Sequence, residues 1–264
     1  MLELNNIHKT FNIGTINEKK ALTDINLKVE EGDFITVIGG NGAGKSTMLN
    51  IIAGVFAPEE GKITIDGVDV TKMPEYKRAS VVGRVFQDPM VGTASNMNIE
   101  ENLALANRRG KRRGLGWGVK KEEREFFKEK LKMLDLNLED RLTTKVGLLS
   151  GGQRQALTLL MATLIKPKVL LLDEHTAALD PKTASKVLSL TEELTSSQNI
   201  TTIMITHNMK DAIKYGNRLI MMMGGNIIYD VKGEEKEKLT VQDLLAKFEQ
   251  SSGGEFANDR MLLS

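Results

Sequence analysis

An α/β fold built on a parallel sheet, with a helical segment inserted into it, is what this sequence predicts, and three observations carry the prediction. Phe34–Ile38, Val169–Leu172 and Thr201–Ile205 are short apolar runs without alternation, as in parallel strands covered on both faces. The first two lead through turn residues into stretches with helical periodicity. Between them, from Asn98 to about Arg141, strand character gives way to apolar residues at three- and four-residue steps.

The elements follow in order. Leu2–Ile7 and Leu22–Val29 read as strands, the second with Ile25, Leu27 and Val29 alternating, and Phe34–Ile38 runs into a glycine turn. Ser46–Ala53 reads as a helix stopped by Gly54, residues 61 to 70 as an edge hairpin, and Val81–Phe86 as a strand. The helical insertion carries Ile99, Leu103, Leu105, Phe126, Phe127, Leu131, Leu134 and Leu138. A helix is expected over Gln153–Ile165, a strand over Val169–Leu172, a helix over Pro181–Ser196 and a strand over Thr201–Ile205. Arg218–Met223 and Ile227–Val231 flank Gly224-Gly225 as a closing hairpin, Thr240–Phe248 forms a last helix, and a loose tail begins at Ser251.

Composition removes several classes of function. The chain of 264 residues has 36 basic and 35 acidic side chains, a formal charge of +1, so no overall field draws it to nucleic acid. It has no cysteine, which excludes disulfides, thiolate metal sites and cysteine nucleophiles. The N-terminus has no basic and apolar leader pattern, so no signal peptide is expected, and no apolar run approaches the roughly 18 residues that span a bilayer.

Gly39-Gly40-Asn41-Gly42-Ala43-Gly44-Lys45-Ser46-Thr47 fits G-x-x-x-x-G-K-[ST], and it lies between a strand and a helix. Glycines let successive N–H groups converge on phosphate oxygens at the positive end of the helix, Lys45 adds a charge, and the Ser46 hydroxyl is placed to ligate magnesium. Asp173 ends a buried strand, where its carboxylate can hold magnesium. Glu174 beside it is suited to orient or deprotonate an attacking water. His207, after the strand Thr201–Ile205, is either a polar strand cap or a γ-phosphate contact. Gln87, after Val85-Phe86, is either an ordinary loop residue or a contact to magnesium or water. Leu149-Ser150-Gly151-Gly152-Gln153 precedes a helix and offers a second anion-accepting N-terminus. The two grips either hold one ligand in a monomer or belong to different sites completed by a two-fold dimer, and spacing alone does not choose.

These motifs, in this order, resemble the nucleotide-binding subunits of ATP-binding cassette transporters over about residues 2 to 232. Gly39–Thr47 resembles Walker A, Leu149–Gln153 the signature, Val169–Asp173 Walker B, Gln87 the Q-loop, Ala178-Leu179-Asp180 the D-loop and His207 the switch histidine. Phe11 resembles the aromatic on which the family stacks adenine, although an aromatic there also suits core packing. The resemblance implies an α/β P-loop NTPase of the cassette type over residues 1–250. Its parts would be a RecA-like core, an antiparallel β subdomain and a helical subdomain inserted at about 90–165, with 251–264 as tail. It implies ATP and Mg2+ as cofactors, with Lys45, Gln87, Glu174 and His207 in catalysis and Ser46, Gln87 and Asp173 at the metal. It also implies a head-to-tail dimer that sandwiches ATP between one copy's Walker A and the other's Ser150, Gly151, Gly152, Gln153 and Asp180. The partners would be an integral membrane permease at the cytoplasmic face of the membrane and a separate solute-binding protein, with no nucleic acid. An exporter subunit, a soluble assembly ATPase and a small P-loop kinase are the competing readings; the last does not explain Leu149–Gln153 or Glu174.

Two features depart from or lie outside that pattern. The family's usual proline after the glutamate is His175, which should leave the local backbone less constrained. With the segment Val85–Ala94, this variant resembles importer subunits of the tryptophan and tyrosine uptake group. The run Arg108-Arg109-Gly110-Lys111-Arg112-Arg113, before Gly114–Gly118, is either a solvated loop or a contact for anionic lipid headgroups.

Overall fold

A computed structural model describes residues 1–111 and 118–252; Arg112, Arg113, Gly114–Trp117 and the tail 253–264 lie outside the described residues. The strands are β1 Leu2–Phe11, β2 Lys19–Val29, β3 Phe34–Gly39, β4 Glu60–Ile65, β5 Val68–Asp69, β6 Val82–Val85, β7 Val169–Asp173, β8 Thr201–Ile205, β9 Arg218–Met223 and β10 Asn226–Lys232. The helices are α1 Lys45–Ala53, α2 Glu75–Arg78, α3 Ile99–Asn107, α4 Lys121–Lys132, α5 Gly151–Thr163, α6 Pro181–Ser197, α7 Met209–Lys214, α8 Glu234–Glu237 and α9 Val241–Ser252. They divide into two compact units, Met1–Arg78 with Asn199–Ser264, and Ala79–Gln198.

In the first unit, an antiparallel sheet is ordered β2-β1-β4-β5, and the alternation of Ile25, Leu27 and Val29 turns one face of β2 inward. A second set of strands has β3 at its centre, parallel to β8 on one side and to β9 on the other, with β10 returning antiparallel along β9. Every residue of β3 and β8 is buried, which is why both read as unbroken apolar runs. Ile38, Met209, Ala212, Leu219, Met221, Val231, Leu244 and Phe248 form a common core over these strands. α9 runs on to Ser252, past the expected helix end at Phe248. The short α7 has too few residues for a readable period and was not anticipated from the sequence.

Two buried cations close helix ends in this unit. Arg78, 1% exposed, donates to the carbonyls of Ile51 and Ile52 in the last turn of α1 and to those of Thr71 and Met73. Lys236, also 1% exposed, donates to Ile213, Tyr215 and Gly216 at the end of α7. Carbonyls left over at a helix C-terminus carry partial negative charge, so a cation there is both neutralised and hydrogen-bonded. Burial lowers the Arg78 pKa from its ordinary value without threatening its charge.

The second unit pairs β6 and β7 in parallel, from Val82 opposite Val169 to Val85 opposite Leu172, and adds α3, α4, α5 and α6. Among the described residues, the stretch expected to be helical from Asn98 to about Arg141 holds two helices, α3 and α4. Leu134 and Leu138 are buried beyond the end of α4, and Leu105 is exposed. Glu100 and Arg124 tie α3 to α4 by a two-point ion pair at 2.7 and 2.9 Å. Arg108 and Arg109 of the basic run are not free in solvent, because Arg108 pairs with Glu123 and donates to Ala104, and Arg109 donates to Ala162 and Ile165 at the end of α5. These two arginines are consumed in packing, and Arg112 and Arg113 of the same run lie outside the described residues. Burial lowers the Arg109 pKa.

Replacing Arg78 by methionine should lower stability by about 3 kcal/mol, because four carbonyls lose their donor inside the protein. Urea denaturation of the nucleotide-free chain measures it, and a loss below about 0.5 kcal/mol would contradict this account.

Candidate functional site

The phosphate loop follows from the burial of β3. That strand ends at Gly39, the chain turns through Gly40–Gly44, and α1 begins at Lys45 with Gly44 as its N-cap at φ 102°. A side chain at Gly44 would place Cβ 2.6 Å from the Ala21 carbonyl oxygen, and one at Gly39 would meet the Met222 carbonyl at 2.3 Å. Only glycine lets the loop lie this close to its neighbours. Lys45 is 6% exposed, and its Nζ donates to the carbonyls of Gly39 at 2.7 Å and Gly40 at 3.1 Å. The ammonium thereby holds the loop closed with donors that phosphate oxygens can take over.

Two supporting groups were not singled out from the sequence. Gly225, in the β9–β10 turn, donates its N–H to the Ala43 carbonyl at 3.1 Å and accepts from Thr23 at 2.9 Å, so the hairpin braces the loop. A glycine pair between strands signals the turn but not this contact. Lys19, opposite Phe11 in the β1–β2 ladder, brings its Nζ within 3.1 Å of where a Gly42 Cβ would stand. An exposed lysine early in a strand carries no sequence signal of that kind. Phe11 is half-buried at the end of β1, set edge-to-face on Phe56 with ring centres 5.3 Å apart. His207 follows β8, the parallel neighbour of β3, so the sheet brings its loop and the phosphate loop to the same strand ends. Asn208 beside it caps α7 by accepting from Lys210 and Asp211.

In the second unit, Asp173 closes β7 after four buried residues. Arg84 on β6 reaches Asp173 Oδ2 at 3.4 Å. Glu174 has φ 47°; among the described residues it is the one with positive φ that is neither glycine, asparagine nor aspartate. A longer side chain is uncommon in that region, and such residues cluster where function fixes the backbone. His175 is buried at 2% exposure, with Nε2 3.1 Å from the Thr191 hydroxyl of α6. The Thr191 O–H already donates to Val187, so Nε2 carries the proton and donates. The imidazole therefore ties the residue after Glu174 to α6, and the expectation of a less constrained backbone is corrected. Burial lowers the His175 pKa to about 4, so it is neutral at physiological pH.

Gln87 is exposed just beyond β6, and Gln155 of α5 fixes the residue before it by donating to the Phe86 carbonyl at 3.3 Å. Ser150 and Gln153 form a reciprocal capping box at the start of α5. Gly152 is required by packing, since a Cβ there would meet Thr183 Cγ2 of α6 at 2.2 Å. Asp180 caps α6 by accepting from the Thr183 N–H, and hydrogen bonding with the Thr183 side chain, then with that N–H, lowers its pKa. Ser150, Gly152 and Gln153 border a cavity of about 420 Å³ floored by Leu134, Ala156 and Val187, so the turn is open to a ligand or partner. Arg154 of α5 braces the segment before the turn, donating to the carbonyls of Val146, Gly147 and Leu149 and reaching the Met90 sulfur. The Ser46 hydroxyl, the Asp173 carboxylate and the Gln87 amide oxygen are all hard oxygen donors, a set that fits magnesium.

Residues 22–177 match the family model described as ABC transporter. A tyrosine transport ATP-binding protein of Clostridioides difficile is 46% identical over 249 residues, covering 94% of this chain and 99% of the relative. A methionine import ATP-binding protein of Vibrio vulnificus is 34% identical, over 100% of this chain and 72% of its own. Among solved structures, a dimeric ATP-binding cassette in a post-hydrolysis state with ADP and phosphate has a TM-score of 0.74 and 33% identity, over 88% of this chain and 98% of its own. A cassette in its ADP conformation has a TM-score of 0.77 and 29% identity, over 94% and 98%.

His175 makes stability depend on pH in a defined direction. The unfolded chain protonates it below about 6.5, whereas the folded chain resists protonation until about 4. Its contribution is therefore whole above pH 6.5 and falls as pH drops towards 4, by on the order of 3 kcal/mol. Denaturation midpoints between pH 7.5 and 4.5 should fall less steeply for His175→Gln; parallel curves would refute the assignment.

Proposed function

The chain belongs to the ABC transporter family and is an ATP hydrolase of that family, and from this we propose that two copies close around ATP to power a membrane permease for solute import, the solute being of the amino-acid type. The observation that carries the importer reading is the 46% identity, over nearly the whole of both chains, to a protein named for tyrosine transport. Dimerisation has support from the solved dimeric cassettes, which are similar over 88% of this chain. Among the described residues no helix is long and apolar enough to cross a membrane. The proposed position is peripheral, at the cytoplasmic face, with cargo delivered by a separate solute-binding protein.

Each proposed role follows from the chemistry of the residue. Phe11 stacks the adenine. The N–H groups of Gly39, Gly40, Asn41, Gly42, Ala43 and Gly44 surround the phosphates, together with those of Ser46 and Thr47. Lys45 exchanges the Gly39 and Gly40 carbonyls for phosphate oxygens, which trades neutral acceptors for charged ones. Ser46, Asp173 and Gln87 would hold Mg2+, which neutralises charge on the outer phosphates. Glu174 orients the attacking water and takes its proton, and His207 contacts the γ-phosphate. Ser150, Gly151, Gly152 and Gln153, with Asp180, face the nucleotide held by the second copy, where the N-terminus of α5 meets the developing charge. Met90, Val91 and Leu148 are exposed apolar side chains on segments joined through Arg154, and they support a docking surface for the permease in the same unit.

Glu174→Gln should retain ATP, lose about two or more orders of magnitude in turnover, and accumulate as a dimer on size-exclusion chromatography with ATP. Normal turnover would sink the assignment of the general base. Ser150→Arg should bind ATP as a monomer like the parent and fail to dimerise. Loss of nucleotide binding by the monomer would show instead that Ser150 serves its own chain's nucleotide.

A further inference from the structure

Asp173 is proposed above as a magnesium ligand, yet its carboxylate already has a cation beside it. Arg84 lies opposite Leu171 in the parallel β6–β7 ladder, and Asp173 is two residues further along β7, so both side chains emerge on one sheet face. Phe86, two residues beyond Arg84, emerges on that face as well. The guanidinium carbon stands 4.5 Å from the centre of the Phe86 ring, and Nη2 is 3.4 Å from Asp173 Oδ2. Each of the two charged side chains is only 14% exposed.

The geometry shows how firmly this cation is held. A two-point arginine–carboxylate pair has two contacts near 2.8 Å; here there is one contact at 3.4 Å, and the buried Arg84 Nε has no hydrogen-bond partner. Hydrogen bonding therefore does little to fix the guanidinium, which rests on charge attraction and on the aromatic face. It is near enough to act on Asp173 electrostatically, and it can withdraw over Phe86 without breaking a strong hydrogen bond.

From this arrangement we infer that Arg84 is a positioning residue that serves as an internal counter-ion to Asp173 and weakens the hold of that carboxylate on a divalent cation. In the nucleotide-free chain it stands beside the carboxylate as a loosely held positive charge. When a divalent ion approaches, the positive charge of Arg84 opposes it, so the protein's own donors bind the metal weakly and the phosphates must supply the rest. Metal then enters and leaves with nucleotide rather than remaining on the protein. This inference rests on the assignment of Asp173 as a metal ligand.

Binding of Mn2+ to the full chain, followed by electron paramagnetic resonance with and without a non-hydrolysable ATP analogue, tests it without reference to turnover. Arg84→Met keeps the length and apolar contact but removes the charge, and it should tighten Mn2+ binding at least about threefold, mostly in the absence of nucleotide. Arg84→Lys keeps the charge and should bind Mn2+ as the parent does. Damage to the fold would weaken binding in both variants, so the opposite sign for Arg84→Met distinguishes a counter-ion from a structural prop. Unchanged or weaker binding by Arg84→Met would overturn the inference, and so would tightening by Arg84→Lys to the same degree. Asp173→Asn separates the premise from the inference. If it leaves Mn2+ affinity intact, the metal-ligand assignment fails, whereas if it weakens binding and Arg84→Met changes nothing, only the role of Arg84 fails.

Discussion

The buried ammonium of Lys45, donating to the carbonyls of Gly39 and Gly40, is the interaction around which the first unit is arranged. A charge buried to this degree needs partners, and the partners available are backbone carbonyls of a loop that turns back on itself. That turn requires glycine at Gly39 and Gly44, where any Cβ would strike the backbone of Met222 or Ala21. It also requires β9, β2 and the Gly225 turn to stand close by, because they form the wall against which the loop closes. The apolar β3 fixes where the loop starts, and the parallel pairing of β3 with β8 then directs the His207 loop to the same strand ends.

The second unit solves a related problem with acids. Two carboxylates follow four buried residues of β7, and charge at the end of such a strand is costly unless it is compensated. Arg84 supplies a cation to Asp173 from the adjacent strand, and His175 turns inward, neutral, to bond α6. Glu174 between them takes a backbone conformation that among the described residues is otherwise left to glycine, asparagine and aspartate. The side chain that replaces the family's usual proline thus restrains the backbone from a distance, through a hydrogen bond, where a proline ring would restrain it locally.

Packing and chemistry are interleaved at the signature turn. Ser150 and Gln153 satisfy each other's backbone at the start of α5, Gly152 makes room for Thr183, and Asp180 caps α6. Helix start signals and close helix contact account for these residue types, so glycine would be favoured at Gly152 even without a ligand, whereas a Cβ at Gly151 would meet Leu179 only at 3.4 Å. The role proposed for them in nucleotide recognition uses the face of the turn that borders the cavity.

What the sequence determined by itself depends on residue type along a short stretch. The apolar runs of β3, β7 and β8 marked buried strands, the spacing of Gly39–Thr47 marked a phosphate loop, and Leu149–Gln153 with Asp173-Glu174 marked the family. The tertiary structure alone decided what depends on residues far apart in the chain. It turned Arg108 and Arg109 onto Glu123 and the end of α5, placed Arg84 beside Asp173, set Gly225 against Ala43, and gave His175 a partner sixteen residues away. The physical reason is that periodicity and turn chemistry report a residue's own backbone and face, whereas ion pairs and carbonyl caps are made across strands and helices whose adjacency only folding creates.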